Sequence, residues 1–291
     1  MDNCILACKT QNINLLHYHF APEYLCIQHH GQYLIHLCCI SNFIKGVLFL
    51  LDKNADINQL NIRQETPIVI ACVHDFEELA HILMDFNPNI DIPDISGNTL
   101  LHHLSNSCLT DVFQYACHNT QNVNHQNHRG KSPLHLCTEN TSFVDSLIQA
   151  NANVNIIDNN GNTPLHSHLS YFGCITIVKL FLDSGSDFNI VNNLGNLPLH
   201  LAITNSCNLN VIFLIIDNTS NISISNYLLF TPLNYAIIHK SDAINYLIEN
   251  GADVHFIDGK GQNIIQSFVF YCPSLFSCLH TLLNKQCNPF L

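Results

Sequence analysis

The chain has 291 residues, of which 47% are apolar and only 11% charged, and it contains no Trp; that composition excludes a disordered polypeptide and a Trp-based sugar or aromatic cage. Its formal net charge is -12, from ten Lys and Arg against twenty-two Asp and Glu. The cations stand singly, at Lys9, Lys45, Arg63, Arg129 and Lys179 among others, so nucleic acid and anionic membrane are poor partners, and a neutral or basic protein surface fits the acidic field better.

At the N-terminus, Ile5-Leu6-Ala7-Cys8 is too short an apolar stretch for a secretion signal. The longest apolar run near the middle, Val211 to Ile216, is closed by Asp217 and reads as a buried helix turn, not a membrane span. The fourteen Cys are expected to be reduced thiols of a cytoplasmic protein.

One phrase recurs along the chain. It runs Tyr33-Leu34-Ile35-His36 after Gly31, Thr66-Pro67-Ile68-Val69, Thr99-Leu100-Leu101-His102 after Gly97, and Ser132-Pro133-Leu134-His135 after Gly130. It continues as Thr163-Pro164-Leu165-His166 after Gly161, Leu197-Pro198-Leu199-His200 after Gly195, Thr231-Pro232-Leu233-Asn234, and Asn263-Ile264-Ile265-Gln266 after Gly261. Successive His slots are 33, 33, 33, 31, 34, 34 and 32 residues apart. A second phrase keeps phase with the first, as in Ala55-Asp56-Ile57-Asn58, Ala152-Asn153-Val154-Asn155, Ser186-Asp187-Phe188-Asn189 and Ala252-Asp253-Val254-His255. Its Asp slot lies eight residues before the Gly slot every time, so length varies only in the helical part and the connector sets the geometry between repeats.

Registered copies of this kind make the chain similar to the ankyrin repeat family. The resemblance implies an all-α solenoid of about nine helix-turn-helix units joined by β-hairpin fingers, one array over 1–291. The approximate units are 1–30, 31–63, 64–96, 97–129, 130–160, 161–194, 195–228, 229–260 and 261–291. It also implies that the slot histidines His36, His102, His135, His166 and His200 hydrogen-bond backbone between repeats.

The residues suit such a unit. Thr163 can cap a helix that Pro164 opens, and Ile175 to Leu182 is apolar enough for burial on two sides. Gly185 and Gly251 stand just past helix ends. The first-helix position two residues after the His slot should be small for close packing; it is Ala7, Cys38, Ala71, Leu104, Cys137, His168, Ala202, Ala236 and Phe268. Cys38 and Cys137 are thus packing residues, while His168 and Phe268 are oversized. Gln64 and Leu229 replace the finger Gly, and Leu at positive φ predicts a remodelled turn. The last unit carries Phe268, Phe270, Phe276 and Phe290, an apolar cap or a sticky end.

No metal or cofactor is expected, since neither Cys-x-x-Cys nor His-Glu-x-x-His occurs, and Gly259-Lys260-Gly261 lacks the residues of a phosphate loop. Binding at the exposed fingertips is the preferred reading: Arg63 and Glu65; Ser96 and Asn98; His128, Arg129 and Lys131; Asn160 and Asn162; Leu194 and Asn196; Tyr227, Leu228 and Phe230. Tyr227, Leu228 and Phe230 read as a hot spot or as a finger folded inward. The basic tip at 128–131 pairs with a carboxylate or phosphate, or is a solvated turn. The family resemblance further implies possible hydroxylation of Asn58 and Asn155. The expected function is a non-enzymatic adaptor or inhibitor of another protein, monomeric when free, in the style of effectors that intracellular bacteria deliver into host cytosol. The alternatives are an enzyme with a Cys–His site in the poorly conforming terminal repeats and a structural spacer; the near-adjacent Cys–His pairs are Cys278 with His280 and Cys117 with His118.

Overall fold

The computed structural model describes residues 1–271 except Phe172 and Lys240, and for Phe268 the backbone alone. Phe276, Phe290, Cys278 and His280 lie outside the described residues. The chain divides into two compact units, Met1–Ala152 and Asn153–Leu291.

In the first unit, five helices each pair with the next: Asp2–Lys9 with Ile13–His19, Leu34–Ile40 with Ile44–Asp52, Pro67–Val73 with Glu77–Asp85, Leu100–Leu104 with Thr110–Asn119, and Pro133–Leu136 with Thr141–Gln149. In the second, Pro164–Leu169 pairs with Ile175–Asp183, Pro198–Thr204 with Leu209–Asn218, and Pro232–Ile238 with Ile244–Glu249, followed by Ile264–Tyr271. Within each unit the first helices of neighbouring pairs pack on one another. Among the described residues no helix is long and apolar enough to cross a membrane.

Local chemistry explains where these helices start. Thr163 is extended at φ -78°, its hydroxyl accepts the N–H of His166, and Pro164 occupies the first turn, where a missing N–H costs nothing. Gly185 and Gly251, at φ +79° and +88°, follow helix ends as expected. Burial between pairs supplies the stability. Leu50, Leu79, Leu83 and Leu165 are fully buried, each worth about 2 kcal/mol, and the rings of Phe113 and Phe143, on adjacent second helices, stack at 3.9 Å.

The small-residue slot is buried from Ala7 through Ala236. First helices with Ala or Cys there run seven residues at Leu34–Ile40, Pro67–Val73, Pro198–Thr204 and Pro232–Ile238. With Leu104 the helix is five residues long, and with His168 six. Pro133–Leu136 is shorter still, at four residues, in the repeat that is 31 residues long. Phe270, in the closing helix, is exposed; the side chain of Phe268 is outside the description.

The fingers are minimal hairpins. In each from 61–65 to 258–262, the residue three before the Gly slot exchanges backbone hydrogen bonds with its own turn: Asp158 N–H donates to Asn162 O and Gly161 N–H to Asp158 O, both at 2.9 Å. The expected remodelling at Leu229 does not occur. Leu229 takes φ +58°, as does Gln64, and the turn closes in the same way, with Asn226 N–H on Phe230 O and Leu229 N–H on Asn226 O at 2.9 Å. The fixed hydrogen-bond pattern imposes a left-handed residue on a side chain that disfavours it.

Candidate functional site

The fingers owe their shape to an Asn or Asp at 61, 94, 127, 158, 192, 226 and 258, half-buried at 127 and buried at the others, a position the motif reading passed over. Its side-chain oxygen accepts two backbone N–H groups of its own turn, as Asp158 does from Asn160 and Asn162 at 2.9 Å and Asn226 does from Leu228 and Phe230 at 3.0 Å. Where the residue is Asn, its amide also reaches the preceding finger. Asn127 donates to Asn98 Oδ1 at 2.8 Å, Asn192 to Asn162 at 2.8 Å, and Asn226 to Asn196 at 2.9 Å. The backbone repeats the link, with Ile95 N–H on Arg63 O, His128 N–H on Ser96 O, and Tyr227 N–H on Leu194 O. The sequence signal was present: an Asn or Asp stands three residues before every Gly slot from Gln64 to Gly261.

This arrangement sorts the expected contact residues into two rows. Arg63, Ser96, His128, Arg129, Asn160, Leu194, Tyr227 and Leu228 are exposed at the tips. Glu65, Asn98, Lys131, Asn162, Asn196 and Phe230 are half-buried behind them. Glu65 accepts from the Asn61 amide at 2.8 Å, Asn98, Asn162 and Asn196 accept from the next finger, and the Phe230 ring lies 5.6 Å from that of Tyr235. In the back row, Asn98, Asn162 and Asn196 therefore tie finger to finger, and the front row faces solvent. Asn58 and Asn155 form another link: their Oδ1 atoms accept the N–H of Asn89 at 2.8 Å and of Asp187 at 2.7 Å.

The slot histidines fasten the helices to the fingers. Each Nδ1 accepts the backbone N–H that opens its helix, from Tyr33, Thr99, Ser132, Thr163 or Leu197, at 3.0–3.2 Å. An acceptor at Nδ1 places the proton on Nε2, which donates across to Gln59 O from His36, Lys131 O from His102, Asn196 O from His166 and Phe230 O from His200 at 2.9–3.1 Å. Burial favours the neutral ring at His36, and pulls His102 and His200 down to about 4.

The Cys–His alternative finds little support at Cys117. Burial pushes that thiol up to about 12, away from the thiolate a nucleophile needs, and His118 Nδ1 is 2.6 Å from the carbonyl of Gln114. Cys38 and Cys137 are buried packing residues, as their slot implied. Among the described residues no group of three or more His, Cys, Asp or Glu could hold a metal ion.

The family model "Ankyrin repeats (3 copies)" matches residues 35–127, 101–192 and 167–258, well over half of the chain. The chain belongs to the ankyrin repeat family. Ankyrin repeat domains are generally protein–protein interaction modules and are typically non-enzymatic. Ankyrin repeat protein OPG189 of variola virus is 26% identical over 181 residues, covering 55% of this chain and 26% of the viral protein. A fowlpox virus ankyrin repeat protein, FPV031, is 30% identical over 145 residues, covering 48% of this chain and 33% of its own length. The chain thus spans only about a quarter to a third of these relatives. The crystal structure of the Bcl-3 ankyrin repeat domain matches with a TM-score of 0.60 and 22% identity, over 74% of this chain and 97% of that domain, a likeness of fold.

Proposed function

We propose that this ankyrin chain is an adaptor or inhibitor that grips a partner protein with the fingers and concave side of a single array over 1–291, its principal contact being the fingertips between Leu194 and Leu229. One observation carries the reading: Tyr227 and Leu228 are 73% and 67% exposed on a finger whose backbone N–H groups from Asn226 to Phe230 are all hydrogen-bonded. Leu194 and Leu229 continue the apolar tip. A Cβ on Gly195 would come within 2.9 Å of Tyr227 Cδ1, so the aromatic ring lies along the bare backbone of the preceding finger. An aromatic anchor held rigid before binding loses little entropy on contact. The inward-folded alternative does not fit these exposures. An effector acting in a host cytoplasm would use the same contact.

The test is affinity capture from cytosol with the chain and its Tyr227→Ser/Leu228→Ser variant. The expected outcome is a partner retained by the first and lost by the second, at an unchanged melting temperature, since exposed substitutions shift stability by about 0.5 kcal/mol or less. Equal capture by both proteins overturns the reading.

A further inference from the structure

The fingers of the 1–152 unit differ in charge from the rest of that unit. It holds six Lys and Arg, namely Lys9, Lys45, Lys53, Arg63, Arg129 and Lys131, against fourteen Asp and Glu. Three of the six cations stand on the fingers spanning 61–65, 94–98 and 127–131, with only two of the fourteen carboxylates. Neither carboxylate offers a free negative tip. Glu65 is engaged by the Asn61 amide, and Asp94 is buried, accepting the N–H groups of Ser96 and Asn98 at 2.8 Å. Arg63, Arg129 and Lys131 have no ion-pair partner among the described residues. A basic strip has been set apart on an acidic body.

The strip is apolar as well. Ile62 and Ile95 are 67% and 59% exposed, and the backbone bonds from Ile95 to Arg63 and from His128 to Ser96 hold the three fingers side by side. Beside Arg63, which lines it together with Glu65, lies a groove of about 410 Å³ whose apolar walls include Ile40, Ile62 and Val73. The Ile62 side chain is seated against Gly31, where a Cβ would come within 2.6 Å of it, so that wall depends on a bare backbone.

From this charge segregation we propose that the strip is a second interaction surface, for an extended acidic segment of a partner protein. The segment places an apolar side chain in the groove between Ile40, Ile62 and Val73, and carboxylates on Arg63, Arg129 and Lys131. Arg63 suits a carboxylate through paired N–H groups. The carboxylates elsewhere on the unit slow the encounter, but beyond about 8 Å they are screened at physiological salt, while contact pairs are not. This surface is separate from the tip at Tyr227 and stands without it.

The test uses fluorescence anisotropy of a labelled twelve-residue peptide alternating Glu with Leu and Ile, and of a matched peptide carrying Lys in place of Glu. The full chain should bind the acidic peptide saturably and the Lys peptide at least about tenfold more weakly. The combined Arg63→Glu/Arg129→Glu/Lys131→Glu variant should lose at least about tenfold in affinity. Ile62→Ser, which keeps every charge, should also weaken binding, so the proposal can be judged even if the charge-reversed chain does not fold. Tyr227→Ser/Leu228→Ser should bind the acidic peptide unchanged, which separates this proposal from the preceding one. Absence of saturable binding, equal binding of both peptides, or equal binding by the charge-reversed or Ile62→Ser chains overturns it. So does displacement of the peptide by millimolar inorganic phosphate, which would leave an anion site only, or tighter binding of a twelve-nucleotide single strand.

Discussion

His200 donates from Nε2 to the carbonyl of Phe230 at 3.1 Å while its Nδ1 receives the backbone N–H of Leu197 at 3.0 Å. One neutral ring thus caps a helix and holds the next finger. The bond from Leu197 needs that protonation state: a second proton, on Nδ1, removes its acceptor, while Nε2 still donates.

This sets a pH window. Burial places the folded pKa of His200 and of His102 at about 4, below the value of about 6.5 in an unfolded chain. The unfolded state therefore takes up the protons first. Stability is fully present above about pH 6.5, declines as pH falls toward 4, and levels off below, by about 3 kcal/mol for each ring. Urea titrations between pH 7.5 and 4 check this. His200→Asn should keep the cap, as Asn234 does by accepting Thr231 N–H at 2.9 Å, cost about 1 kcal/mol at pH 7, and make the acid slope shallower.

Asn192→Ala removes the acceptor of two backbone N–H groups, of Leu194 and Asn196, both at 3.0 Å, and the donor to Asn162. With these groups left unpaired, the loss expected in a denaturant titration is about 3 kcal/mol. Asn192→Asp keeps the acceptor and loses only the link to the preceding finger; its cost should be about 1 kcal/mol, in keeping with the Asp at 94, 158 and 258.

Leu229→Gly relieves a side chain held at φ +58°. The left-handed conformation costs a non-Gly residue about 1–2 kcal/mol and Gly gives back up to about 1 kcal/mol in chain entropy, so stability should rise by about 0.5 kcal/mol. A calorimetric scan that shows a lower melting temperature would mean that the Leu229 side chain has a stabilising contact.

Thiol reactivity distinguishes packing from catalysis. In alkylation at pH 7 with peptide mapping, the exposed Cys26, Cys108 and Cys174 should be modified first. Cys117, Cys72 and Cys137, each pushed up to about 12 by burial, should react roughly a thousandfold more slowly or only on unfolding. Rapid modification of Cys117 would favour the enzyme alternative.

The repeated phrase and its spacing determined the helix pairs and the small buried slot, because each of these is a local requirement that recurs along the chain, while the linking role of the histidines followed from the resemblance to ankyrin repeats. The signal for the finger Asn and Asp was equally regular and could have been read. Tertiary structure alone decided two matters. Leu229 keeps the turn that its own propensity opposes, since Asn226 and the neighbouring fingers supply hydrogen bonds that outweigh the backbone strain. Asn160 is exposed while Asn162 is tied to Asn192. The two are the same residue type two positions apart, and only the proximity of the next finger, a contact some thirty residues away in sequence, separates a side chain left for a partner from one that holds the fold.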